Sequence, residues 1–113
     1  MEAIQQLLFR LGIRETYKGA RYLCYAVHLA AQNAAYLTQL TTALYPAVAA
    51  HFQITVKAAE WALRTVIQAF WLRGNLAYFF EIAGYPLKDR PYTGEFIGTL
   101  AAYVRMREPP WPN

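Results

Sequence analysis

Val48-Ala49-Ala50-His51-Phe52-Gln53-Ile54-Thr55, running on through Val56 to Gln68, reads as one short helix, a tight turn and a second, longer helix. The spacing is that of a helix-turn-helix, a unit that places its second helix in the major groove of DNA. Val48, Ala49 and Phe52 face inward from the first helix, and the small Ala49 lets the pair approach closely. Ile54 is the apolar plug of the turn. Thr55 suits the N-cap of the second helix, because its hydroxyl can accept from a backbone N–H left over in the first turn. Ala59, Leu63, Val66 and Ile67 then recur at helical spacing and pack back on the first helix. Many all-helical domains contain a short helix pair of this kind, so the pattern alone leaves the function open.

Outward from this centre the chain continues in helices. Ala3 to Leu11 forms a first short helix with Ile4, Leu7, Leu8 and Leu11 on one face, and Gly12 ends it. Thr16 is placed to cap a second helix, Tyr17 to Asn33, in which Gly19 allows close packing. Thr38 or Thr41 opens a third helix ending near Phe52; Pro46 within it requires either a first-turn position or a kink. The fourth helix runs from Val56 to Arg73, with Gly74-Asn75 as its stop. A fifth covers about Leu76 to Ala83, and Gly84-Tyr85-Pro86 breaks it. Thr93 caps a sixth, to about Arg107, with Glu95 and the pair Arg105 and Arg107 suiting its dipole. No strand, repeat or low-complexity linker interrupts this order. The expected fold class is all-α, about six helices with a central helix-turn-helix. One domain spans residues 1–108, and a proline-rich tail follows over residues 109–113.

Composition agrees with one well-filled core: 57% of the 113 residues are hydrophobic and 16% aromatic, enough for some aromatics to remain on a contact face. The formal charge of +4 fits a polyanionic partner without demanding one, because the basic residues are dispersed. Cys24 is the single cysteine, in an apolar helical stretch, and reads as a small buried residue. The opening Met1-Glu2-Ala3-Ile4 does not read as a basic-then-apolar signal segment, and no apolar run approaches the roughly 18 residues of a membrane span. A cytoplasmic location without a membrane partner is expected. His28 and His51 stand alone, the carboxylates form no close pair, and no phosphate loop or nucleophile elbow occurs. No enzyme, no metal site and no cofactor are expected.

Further stretches carry a resemblance: Leu11-Gly12-Ile13, Lys18-Gly19 with Tyr22-Leu23, Leu44-Tyr45-Pro46 with Val48-Ala49, Trp71-Leu72-Arg73-Gly74-Asn75, Gly84-Tyr85 and Glu95-Phe96-Ile97. From about Ile4 to Arg107 the chain resembles the C-terminal effector domain of the response regulator that initiates sporulation in endospore-forming bacteria. The resemblance implies a six-helix DNA-binding domain with Val56–Arg73 as recognition helix. It implies double-stranded promoter DNA and the RNA polymerase sigma subunit as partners; a homodimer is suggested separately by the aromatic residues Trp61, Tyr78 and Phe80. Family members carry a receiver domain ahead of this one, so phosphorylation control of that type is expected to lie outside these 113 residues.

Departures from the family matter equally. Its recognition helix presents a Glu, an adjacent Arg and a further Arg one turn on. Glu60 and Arg64 occupy the outer two positions here, Trp61 replaces the middle Arg, and Ala58 stands where an Arg often precedes the Glu. A bidentate arginine–guanine contact is worth roughly 1–3 kcal/mol of discrimination, and an indole cannot make one. The expected DNA-binding set is Lys57, Glu60, Trp61 and Arg64, with Lys18, Arg21 and Arg73 toward phosphates. For Glu60 the competing reading is an i,i+4 ion pair with Arg64. Trp61 can stack at DNA, enter a dimer interface or simply pack. Tyr78 and Phe80 stand where the family has serines near its sigma contact, and suggest an apolar partner surface. The alternative function is a protein-interaction module that kept the fold and lost sequence-specific DNA binding.

Overall fold

Leucine and isoleucine at three- and four-residue spacing make the first helix, α1 (Glu2–Arg10), which buries Ile4, Leu7 and Leu8. The computed structural model describes residues 2–107. The expected proline-rich tail, residues 109–113, lies outside the described residues. Gly12 terminates α1 with a φ of 83°, and the amides of Gly12 and Ile13 return to the carbonyls of Phe9 and Leu8. This is a Schellman stop, which consumes carbonyls a helix end would otherwise leave unbonded.

The second helix, α2 (Lys18–Gln32), runs through the middle of the molecule and packs on α1, on α4 (Val56–Arg73) and on α6 (Thr93–Arg107). It buries Leu23, Ala26, Val27 and Ala30 completely. Gly19 lets it approach α4: a Cβ there would lie 2.5 Å from the Ala62 carbonyl oxygen and 2.9 Å from the Val66 Cβ. Thr16 does not cap this helix. Tyr17 occupies the N-cap with extended backbone and no side-chain bond.

The expected third helix, from Thr38 or Thr41 to about Phe52, starts later as an α-helix and follows two turns of other kinds. A 3-10 turn spans Ala34–Thr38, capped by the Asn33 side chain; a π-helical turn spans Leu40–Leu44; only then does α3 (Tyr45–Phe52) begin. Neither Thr38 nor Thr41 opens it. The two turns set Leu37 and Leu40 against α6, where Gly98 and Gly94 provide the notch; a Cβ at Gly94 would come within 2.9 Å of Leu40 Cδ1. Pro46 is the second residue of α3, in the first turn, where its missing N–H leaves no bond unmade.

Gly74 and Asn75 separate α4 from α5 (Leu76–Ala83). Gly74 lies against the Phe70 ring and the Leu11 carbonyl, leaving no room for a side chain. Asn75 caps α5 by accepting from the Tyr78 amide, and its own N–H donates to the Leu11 carbonyl at 2.9 Å. Phe70, Phe79 and Phe96 then join α4, α5 and α6 in one buried aromatic cluster, with ring centroids 5.1–5.4 Å apart. Thr93 does not act as the N-cap expected of it. The Phe96 amide donates to the Tyr92 carbonyl, and the Thr93 hydroxyl bonds the buried Tyr45 instead. The described residues are all-helical, with six α-helices and no strand. None of these helices is long and apolar enough to cross a membrane.

Candidate nucleic-acid interface

Phe52-Gln53-Ile54-Thr55 sets the geometry of the helix pair. Gln53 adopts the left-handed conformation, φ 57° and ψ 48°. Its amide returns to the Ala50 carbonyl, and the Ile54 amide returns to the Ala49 carbonyl at 3.0 Å. The turn is therefore a second Schellman stop, with Ile54 folded back toward Ala49 as its apolar contact. Thr55 follows in extended conformation, and its hydroxyl accepts from the Ala58 amide at 3.0 Å. The stop of α3 and the start of α4 thus share four residues, which leaves the crossing of the two helices little freedom.

α4 has two opposed faces. Ala59, Leu63, Val66, Ile67 and Phe70 are buried against the rest of the domain. On the opposite side Lys57, Trp61, Arg64 and Gln68 lie within about 60° of one another around the helix axis, at 3.6 residues per turn. All four are exposed. Trp61 is 67% exposed, so most of its indole faces solvent. Lys57, Glu60, Trp61 and Arg64 border one shallow depression. Lys57 and Arg64 are about 10 Å apart along the axis, roughly the rise of three base pairs.

Glu60 and Arg64 form an ion pair, Oε2 to Nη2 at 3.0 Å, with both side chains more than a third exposed. An exposed i,i+4 pair contributes only about 0.3–0.5 kcal/mol. A bidentate contact to a base is worth roughly 1–3 kcal/mol. The pair is therefore weak enough to open when a better partner arrives. Behind it lies Tyr45, whose phenol is pushed up by burial, with the Thr93 hydrogen bond opposing that shift.

The remaining expected contacts divide. Lys18 and Arg21 are exposed on α2, beside the Gly19 that meets the middle of α4. The Arg21 guanidinium lies 5.4 Å from the centre of the Phe52 ring, at the end of α3. Phe52 in turn contacts Tyr22 and Tyr25, and His51 stacks on Tyr25 with centroids 4.0 Å apart. Arg73 is exposed but sits roughly 160° around α4 from Lys57, away from the exposed face. Tyr78 and Phe80 are only half-exposed. The Tyr78 hydroxyl bonds Tyr103, and Phe80 packs edge-on to Trp71. Both side chains are therefore partly covered within the domain.

Sequence reasoning passed over Thr65, Gln68 and Leu72, which extend the exposed face of α4 toward its C-terminus; Leu72 is 70% exposed. The signal was available, since each lies three or four residues from Trp61, Arg64 or Gln68. No group of three or more metal-ligating side chains gathers among the described residues. Residues 4–104 match the family described as sporulation initiation factor Spo0A C terminal.

Proposed function

The chain belongs to the Spo0A C-terminal family of DNA-binding regulatory domains, and we propose that it regulates transcription by inserting α4 into the major groove of promoter DNA. The observation that carries this reading is the exposed face of α4, where Lys57, Trp61 and Arg64 stand clear of the core. In this reading Arg64 leaves Glu60 to donate to a base or phosphate, and Glu60 accepts from a cytosine amino group. Lys57 takes a phosphate, and Lys18 and Arg21 on α2 add a salt-sensitive electrostatic contribution. Arg73 points elsewhere, so its contribution is confined to the flank. The sigma subunit of RNA polymerase is the protein partner proposed from the family resemblance, and a second copy of the chain is proposed from the exposed Trp61.

The second reading, a protein-interaction module without a DNA code, draws on Trp61 and Leu72, two large apolar side chains exposed on the same helix. One experiment separates the two. Fluorescence anisotropy is run over a salt series with the family's promoter box, a scrambled duplex and a randomised pool, for the wild type and Arg64→Ala. Sequence-selective binding, weakened roughly 5- to 150-fold by Arg64→Ala in line with 1–3 kcal/mol for a bidentate contact, supports the groove mechanism. Equal, weak binding to every duplex, unmoved by Arg64→Ala, refutes it and favours the interaction module.

A further inference from the structure

A second concentration of positive charge lies away from α4. Arg10 at the end of α1, Tyr78 on α5, and Tyr103 and Arg107 on α6 line one groove of about 140 Å³, with Gln6 and Leu7 along its wall. Three helices that are remote in sequence meet there, and none of its residues belongs to α3 or α4. No Asp or Glu borders it among the described residues, and the ion pair recorded among them is the one on α4. Arg10 and Arg107 thus border one hollow whose own lining carries no carboxylate, while Glu2 and Glu15 share a neighbouring depression with Arg10.

Tyr78 and Tyr103 meet at the groove with Arg10 beside them, which leaves the Tyr78 phenol below its usual range and that of Tyr103 above. A tyrosine hydroxyl facing the groove can donate to a ligand there. The Arg107 guanidinium lies over the Tyr103 ring, 4.6 Å from its centre, in cation–π geometry that fixes the fork at the edge of the groove. Forked arginine donors beside a hydroxyl donor match tetrahedral oxyanions. The groove is small, about 140 Å³, and opens to solvent on one side. That suits a phosphoryl group with a short stem better than a whole nucleotide.

We propose that the groove between α1, α5 and α6 binds a small phosphomonoester, gripped by Arg10 and Arg107 with the Tyr78 hydroxyl as a third donor. The charge of the ligand is the reason for the choice: a phosphomonoester dianion balances both arginines at once. This site is independent of the DNA-binding reading.

Inorganic phosphate and phenyl phosphate are the probes, titrated into the full chain at pH 8 and constant ionic strength, with chloride as control. Binding is followed by the NMR signals of the arginine Nε–H groups and by calorimetry. The expected result is saturable binding of phosphate and phenyl phosphate but not of chloride. Arg10→Gln and Arg107→Gln each weaken it about tenfold or more, as loss of a hydrogen bond between charged groups should. DNA affinity at α4 is retained in both. Tyr78→Phe, which keeps the ring and so guards against a folding defect, weakens it several-fold. Ultraviolet titration of the wild type minus that of Tyr78→Phe isolates this phenol among the nine tyrosines: a bound dianion opposes a second negative charge, so Tyr78 ionises at higher pH with phosphate than with chloride. Shifts that are linear and equal in phosphate and chloride, or arginine variants that bind like the wild type, overturn the proposal.

Discussion

Gly19→Ala sets two large effects against each other. On its own, alanine in a helix interior is favoured over glycine by about 0.8–1.0 kcal/mol, and less so at the second residue of α2, near the helix end. Against that, the new Cβ would sit 2.5 Å from the Ala62 carbonyl oxygen and 2.9 Å from Val66 Cβ. The first is backbone and the second is the branch point of a stiff side chain, so neither can rotate away. Ordinary contact requires α2 and α4 to part by something near 1 Å, and a gap of 0.5–1 Å forfeits a quarter to a half of each packing contact it opens. Overpacking of this kind costs about 1–3 kcal/mol. The clash wins, and the expected net loss is about 1–2 kcal/mol, a fall in Tm of roughly 4–8 °C for a domain of this size. Urea and thermal unfolding of the full chain measure it. Gly98→Ala is the matched control: its Cβ would meet Leu37 Cδ1 at 3.4 Å, an ordinary contact, so the helix gain of about 0.5–1 kcal/mol is kept. A Gly19→Ala protein as stable as the wild type, or more so, would refute the claim that α2 and α4 are held at glycine distance.

Other consequences are as direct. Thr55→Ala removes the cap of α4 and should cost about 1 kcal/mol in urea unfolding, with faster amide exchange at Ala58. Trp61→Arg changes an exposed position, so stability should stay within about 0.5 kcal/mol; a restored phosphate contact would steepen the salt dependence of DNA binding by about 0.9 in the log–log slope. An unchanged slope counts against the groove mechanism. His28 has its pKa lowered from 6.5 by burial, so the unfolded chain binds the proton more readily than the folded one. The fold carries no penalty from it above that pH and loses stability as pH falls below it. His28→Gln should therefore narrow the gap between the urea midpoints at pH 7.5 and 5.5.

Local chemistry was the part of the fold most open to reading. The cap at Thr55, the inward Val48 and Ala49, the bounds of α4 and α5 and the close approach at Gly19 all follow from neighbours in sequence, and the structure contains each of them. Elements decided by distant partners were not readable. The stretch from Thr41 to Leu44 is expected to be the start of the third helix, but Leu37 and Leu40 lie on the glycine notch of α6 and Leu40–Leu44 forms a π turn. Thr93 has the chemistry of a cap and is engaged by Tyr45, 48 positions earlier in the chain. The left-handed Gln53 gives no glycine signal, because the Schellman hydrogen bonds around it outweigh the small cost of that backbone. At the candidate interface, helical spacing located Lys57, Trp61 and Arg64 on one face. It did not reveal that Tyr78 would be turned toward Tyr103, since that contact needs the relative placement of α5 and α6.

The bond from the Asn75 amide to the Leu11 carbonyl has a mechanical side. It fastens the end of α1 to the residue that follows the last turn of α4. At the same place Gly12 and Gly74 would stand only 3.3 Å apart if Gly12 carried a Cβ. Main chain rests on main chain there, with no side-chain rotamers between to take up strain. The stop of α1 and the stop of α4 are thus one joint of main chain, so a residue inserted at either end has to displace the other.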